Sequence, residues 1–228
     1  MIMKIYGKNP LKEALNNPKK IKKVYLSSSF KDQEIIKLLK ENNIKHEIIP
    51  SYKIDNNEGK NQGIMAILDD FEYTSLSDIL NDKVIIMLDH LEDPHNFGAI
   101  IRTAEAAGIK SIIIPKDRSV DVNETVMKTS SGALNYINIV RVTNLNNTIN
   151  KLKDNNYFIY GAAMDGIDYK KVDYANKIVL VIGNEGKGIS ELVRKSCDEI
   201  VSLPMNGNIN SLNASVAAGI FIYDIINR

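Results

Sequence analysis

The sequence predicts an α/β fold: a parallel sheet covered by helices, preceded by a smaller α/β domain. Three observations lead there. From residue 84 onward, short continuous apolar runs alternate with helical stretches, the pattern of strands buried on both faces of a parallel sheet. Residues 1–72 alternate in the same way but are set apart by a polar stretch, read as a linker over 73–83, which leaves 84–228 as the second domain. The chain ends, over 200–228, in a strand, a break at Pro204, a polar turn and an almost wholly apolar helix.

In the first domain, helices are expected over 10–16 and 30–41, and strands over 24–27, 44–49 and 64–68. Within 30–41 the apolar Ile35, Ile36, Leu38 and Leu39 fall on one helical stripe. Residues 51–62 are polar and have no period. In the second domain, strands are expected over 84–88, 111–114, 137–142, 157–162, 178–182 and 200–203. Helices are expected over 96–108, 123–130, 144–155, 189–195 and from 211 onward. Leu212, Ala214, Val216, Ala217, Ala218, Ile220, Phe221, Ile222, Ile225 and Ile226 leave the last helix almost no polar face, so burial on most sides is expected. Its small row, Ala214, Ser215, Ala218 and Gly219, lets a backbone or a flat ligand come close.

Composition narrows the function. With 228 residues, 44% hydrophobic and 25% charged, the chain suits one large or two small globular domains. No apolar run reaches the roughly 20 residues a membrane span needs, and MIMKIYGKNP holds no signal-peptide core, so a cytoplasmic location is expected. The single cysteine, Cys197, agrees with a reducing compartment and reads as structural. Net charge is only +1, yet residues 1–23 hold seven lysines against one acid, Glu13. A basic front suits a phosphate backbone; a solvated surface is the plain alternative.

Three loops follow strand ends, where open α/β sheets place ligands. The first, DHLEDPHNFGAIIRTAEAAG, puts Asn96 and Arg102 near the start of one helix but on different faces. The second, GNEGKG, exposes Glu185 among three glycines that let backbone touch a ligand. The third is the turn 206–213. Spacing excludes alternatives: GNEGKG is no Walker loop, no GxGxxG follows the strand at 84, and no GxSxG is present. His90 and His95 have no third histidine in their loop and the chain has no CxxC, so no metal is expected.

In DPHNFGAIIRTAEAAG, VLVIGNEGKGIS and LPMNGNINSLNASVAAG, which lie in that order within 84–228, the chain resembles the SpoU (TrmH-like) family of RNA ribose 2'-O-methyltransferases, within the SPOUT superfamily, over the whole of 84–228. The front, with IYGKNPLKEAL and NQGIMA, is similar to the small RNA-binding domain related to ribosomal protein L30e that precedes the catalytic domain in ribosomal RNA members. The resemblance implies a C-terminal trefoil knot, S-adenosylmethionine as cofactor, and a homodimer with each site at the interface. Knots are too rare for periodicity to suggest one. By position, Gly183, Leu203 and Leu212, with Ser211 and Asn213 beside them, resemble backbone contacts to the cofactor.

Arg102, Asn96, Glu185 and Asn213 then stand as catalytic candidates. The family assigns proton removal to the arginine matching Arg102. A guanidinium stays protonated, so Arg102 is better read as holding the target phosphate and stabilising the developing alkoxide. Its plain alternative is an ion pair with Glu105. Asn96 is expected to orient the ribose or Arg102, and Glu185 and Asn213 to hold the arginine and the cofactor; Asn213 also reads as a helix cap. The expected reaction is 2'-O-methylation of a guanosine in large-subunit (23S) ribosomal RNA. A transfer-RNA enzyme and a non-catalytic ribosome assembly factor of the same fold are the alternatives.

Overall fold

The computed structural model describes residues 3–15, 21–54, 61–208 and 210–228. They form two compact units, Met1–Glu72 and Tyr73–Arg228. Lys19, Lys20, the end of the 10–16 helix and residues 55–60 of the polar stretch 51–62 fall outside the described residues.

The first unit runs β1 (Met3–Tyr6), α1 (Lys8–Ala14), β2 (Ile21–Ser27), α2 (Gln33–Glu41), β3 (His46–Ile49) and β4 (Ile64–Leu68). Its sheet has the order β1-β4-β2-β3. β4 is antiparallel to β1 and β2, and β3 is parallel to β2. The carboxyl ends of β1, β2 and β3 therefore meet the start of β4 at one end of the sheet. Asp32 caps α2 by accepting from the Glu34 and Ile35 amides, and the helix buries Ile35 and Leu39 completely. β1 was not expected, because four residues with an exposed Lys4 carry too little pattern. The basic front is partly neutralised by Lys8–Asp32, Lys12–Glu34, Lys22–Asp69 and Lys23–Glu47 pairs at 2.6–2.9 Å. Exposed pairs of this kind contribute little to stability.

The second unit runs β5 (Val84–Asp89), α3 (Pro94–Ala106), β6 (Ser111–Pro115), α4 (Glu124–Ser130), β7 (Asn138–Val142), α5 (Leu145–Lys153), β8 (Phe158–Asp168), β9 (Ile178–Gly183), α6 (Glu191–Ser196), β10 (Glu199–Ser202) and α7 (Ala214–Ile226). The six strands take the order β10-β8-β9-β5-β6-β7, and every pairing is parallel. Ile85 to Leu88, Ile112 to Ile114 and Val179 to Val181 are fully buried, as strands covered on both faces should be. From β5 the chain winds outward to β7, then returns to build β8, β9 and β10 on the other side. β5 and β9 thus flank the point where winding direction reverses, the usual place for a ligand crevice.

Three elements differ from expectation. The 73–83 stretch is no free linker: Thr74 bridges Val140, Ile79 is fully buried, and the buried Tyr157 hydroxyl donates to the Ile79 and Asp82 carbonyls. Burial pushes that phenol up to about 12. Its polar Ser75, Ser77 and Asn81 hide a segment docked through Ile79, with Leu76 and Leu80 packed beside it. β8 continues to Asp168, because β10 pairs along its extension after a register shift, with Gly166 against the Ile200 and Val201 backbone. α7 is not buried on most sides. Val216, Ile220, Tyr223 and Ile226 are 37–51% exposed and recur at helical spacing on one face. The opposite face, with Ala218, Phe221, Ile222 and Ile225, carries the packing.

Candidate active site

The sequence builds the start of α3 as a firm platform. Asp93 caps it by accepting from the His95 amide, and Pro94 supplies the fixed φ of the first turn. Gly98 allows close packing on α4, since a Cβ there would meet Thr129 Cβ at 2.6 Å. With Phe97, Ile100, Ile101 and Ala104 fully buried, the helix cannot shift without disturbing the core. Asn96 is carried inward, 7% exposed, while Arg102 lies on the exposed side.

Asn96 joins the three loops. Its Nδ2 donates to Glu185 Oε1 at 2.6 Å, and its Oδ1 accepts from Ser215 Oγ at 3.1 Å. Ser215 Oγ lies equally within reach of Asn213 Oδ1, at 2.6 Å, so one hydroxyl proton is shared between two amide oxygens. Asn213 caps α7, accepting from the Ser215 and Val216 amides at 2.9 and 3.4 Å. One chain of hydrogen bonds thus links the loop after β9, the first turn of α3 and the first turn of α7. The small row on α7 serves this approach: Ser215 meets Asn96, and a Cβ on Gly219 would lie 3.6 Å from Thr103.

The 184–190 loop is tied down by residues that sequence reasoning passed over. Asn184 pairs with Gly188 across a tight turn, and Gly183 must be glycine, because a Cβ would sit 2.1 Å from the Gly188 backbone. The Asp89 carboxylate, 1% exposed, accepts from the Ser190 amide at 2.6 Å and from His90 Nδ1 at 2.5 Å. His90 adopts φ 58°, a left-handed conformation, and its carbonyl accepts from Asn184 Nδ2 at 2.9 Å. Asp89 and His90 therefore hold both ends of the loop that presents Glu185. An acid closing an apolar strand is the one signal the sequence offers for this role.

Not every candidate joins this network. Among the described residues Arg102 has no hydrogen-bond or ion-pair partner, so the pair with Glu105 does not form and neither Asn96 nor Glu185 bonds to it. Gly183 ends β9, Leu203 follows β10 half-buried, and Ser211 and Leu212 are exposed just before α7. Among the described residues no three His, Cys, Asp or Glu side chains gather as metal ligands, and no helix is long and apolar enough to cross a membrane.

Residues 83–223 match the profile of the SpoU rRNA methylase family. The chain belongs to the SpoU methylase family. In this SpoU chain, residues 4–74 also match a profile described as RNA 2'-O ribose methyltransferase substrate binding. A Staphylococcus saprophyticus protein described as a TrmH family tRNA/rRNA methyltransferase is 41% identical over 98% of this chain and 95% of its own length. Among solved structures, the SpoU methyltransferase AviRb of Streptomyces viridochromogenes, in complex with AdoMet, superposes with a TM-score of 0.85 at 22% identity, covering 99% of this chain and 89% of that one. The TrmH/SpoU tRNA modifying enzyme of A. aeolicus superposes at 0.59 and 28% identity over 66% and 78% of the two chains. The SpoU chain thus shares the α/β parallel-sheet fold of these enzymes.

Proposed function

We propose that this chain is a cytoplasmic, S-adenosylmethionine-dependent enzyme that methylates the ribose 2'-oxygen of a guanosine in large-subunit ribosomal RNA. The observation that carries the reading is the Asn96 network, which gathers three loops of the SpoU methylase region beside the winding reversal of the sheet. The residues fit the cofactor. The loops that carry Gly183, Leu203 and Leu212 offer backbone groups and two leucine side chains, and Glu185 lies two residues beyond Gly183, a set suited to a neutral adenosine and a cationic sulfonium.

When bound, S-adenosylmethionine supplies an electrophilic methyl group. Gly183, Leu203, Ser211 and Leu212 hold it largely through backbone, and Asn213 fixes the turn they sit on. Arg102, exposed and unpaired among the described residues, grips the target phosphate and stabilises the alkoxide developing at the 2'-oxygen. Asn96 and Glu185 orient the ribose, so that positioning in a partly dry site supplies much of the rate. The reading includes a trefoil knot and a homodimer. Supporting the knot, α7 follows the edge strand β10 yet returns to pack on α3 and β9 at mid-sheet. Supporting the dimer, the Val216, Ile220, Tyr223 and Ile226 stripe is an apolar face that a second copy would cover.

A transfer-RNA substrate is the second reading, kept by the tRNA/rRNA name of the 41% identical relative. Labelled S-adenosylmethionine offered with unmodified large-subunit RNA and, in parallel, bulk transfer RNA separates the two. The expected result is label in an alkali-resistant dinucleotide of ribosomal RNA. Label in transfer RNA alone overturns the substrate, and label in neither overturns the enzyme reading.

A further inference from the structure

A second site lies in the first unit. At the end of the sheet where β1, β2 and β3 finish and β4 begins, a cavity of about 420 Å³ opens. That is the strand end at which α/β sheets present ligand-binding loops, and the volume falls within the roughly 300–1,000 Å³ of small-ligand pockets. We infer that this pocket takes one unpaired nucleotide of the RNA substrate; the inference rests on the RNA methyltransferase reading.

The lining decides the ligand class. Its floor is a row of hydroxyls: Ser27 Oγ, 4% exposed, lies 3.1 Å from Ser29 Oγ, which lies 3.4 Å from Ser51 Oγ. Three hydroxyls joined by two links keep one donor and several lone pairs for a guest. Gln62 spends its side-chain oxygen on the Lys8 amide, and its NH2 group has no partner among the described residues. Gln62 itself is held at φ 49°, a left-handed conformation that fixes where that amide stands. Phe30 contributes a half-buried ring to the wall.

A bare phosphate is the wrong guest. The Asp32 carboxylate lines the same cavity, and the Lys8 ammonium is already bound to it at 2.6 Å. Hydroxyls, an amide and a ring face instead match a nucleobase and ribose, which accept and donate along their edges and stack on their faces. Lys31, exposed and without an ion-pair partner among the described residues, stands at the lining to meet the flanking phosphate. A recess of about 420 Å³ takes a base only when that base is free of its partner, so the pocket selects for a loop, bulge or single strand.

The test uses the full chain and fluorescent RNA: a stem with an unpaired loop, and the same stem fully paired. In the double variant Ser29→Leu, Ser51→Leu both changed residues are exposed, so the pocket fills without disturbing the core. Phe30→Ala removes the ring. Each variant should weaken loop binding by about 10-fold, in line with the loss of one stacked and hydrogen-bonded base. KM for RNA should rise while kcat and S-adenosylmethionine affinity stay unchanged. Looped RNA should bind at least about 10-fold tighter than the paired stem. Unchanged loop affinity in the double-serine variant, or equal binding of looped and paired stems, overturns the pocket. Tight binding of a free guanosine or uridine monophosphate that looped RNA fails to displace assigns the site to a free nucleotide and overturns it too. Absence of methyl transfer by the unaltered protein would sink the enzyme reading, whereas these binding measurements report on the pocket directly.

Discussion

Replacing Asn96 tests whether one amide holds the site together. Asn96→Ala deletes the bonds to Glu185 and Ser215. Ser215 keeps Asn213 as partner, and Glu185 is exposed enough to regain water, so little is left buried and unpaired. The cost is then that of one or two ordinary hydrogen bonds, about 1–2 kcal/mol. Asn96→Asp is nearly isosteric but swaps a donor for an anionic oxygen facing Glu185 across the present 2.6 Å contact. Two like charges about 4 Å apart repel by about 4 kcal/mol at an effective dielectric constant of 20. Solvent at the exposed Glu185 reduces that to about 2 kcal/mol, added to the lost bond. The aspartate variant should therefore be less stable than the alanine variant in urea unfolding at pH 8, and poorer in single-turnover methyl transfer. Like charges raise the pKa of the carboxyl pair, so the repulsion is present above that raised value and disappears as pH falls through it. Asn96→Asp should accordingly approach Asn96→Ala on acidification. Equal behaviour of the two variants at pH 8, or turnover of Asn96→Ala within about threefold of the unaltered chain, about 0.7 kcal/mol, would refute the argument.

Arg102→Ala should lower methyl transfer by about 1,000-fold with S-adenosylmethionine affinity kept in calorimetry; the reverse pattern, lost affinity with full turnover at saturating cofactor, contradicts the role given to it. Ile220→Glu places a charge in the exposed stripe of α7 and should give a folded monomer in sedimentation; a dimer at the same concentration refutes that face as the interface. Burial, with Asp198 near, pushes the Cys197 thiol from 9.0 up to about 11, so iodoacetamide at pH 8 should label it about 100-fold more slowly than an ordinary thiol. Because the folded value is the higher one, the thiol's contribution to stability is present below pH 9 and lost between 9 and 11. A fast alkylation at pH 8 would show an open, activated cysteine instead.

What could be read from the sequence follows from what sequence patterns measure. The runs at β5, β6 and β9 were legible because strands buried on both faces have no polar residues to confuse the period. The α7 stretch was misjudged for the same reason: composition records that a face is apolar, not which partner covers it. β1 is too short to have a period, and 73–83 hides its one buried anchor, Ile79, among serines and acids. At the site, Asn96, Glu185 and Asn213 stood out within long motifs, yet their mutual contact was not foreseeable, because nothing local relates residues 89 and 119 positions apart. Ser215 was noticed for its size alone and turned out to be the shared donor. Asp89 and His90 were passed over because their work is on another loop.

The Asn96 network also has a schedule. Its long-range bonds join Asn96 to residues 89 and 119 positions further on, so those loops must close before Glu185 or Ser215 can reach Asn96. A chain growing from its N-terminus can complete the first unit, α3 and most of the large sheet while the site is still open. Only when α7 docks does Ser215 close the bridge to Asn96, which makes competence for chemistry the final event of folding. A product cut short before residue 214 would lack Ser215 and its bridge to Asn96, and with them the completed site.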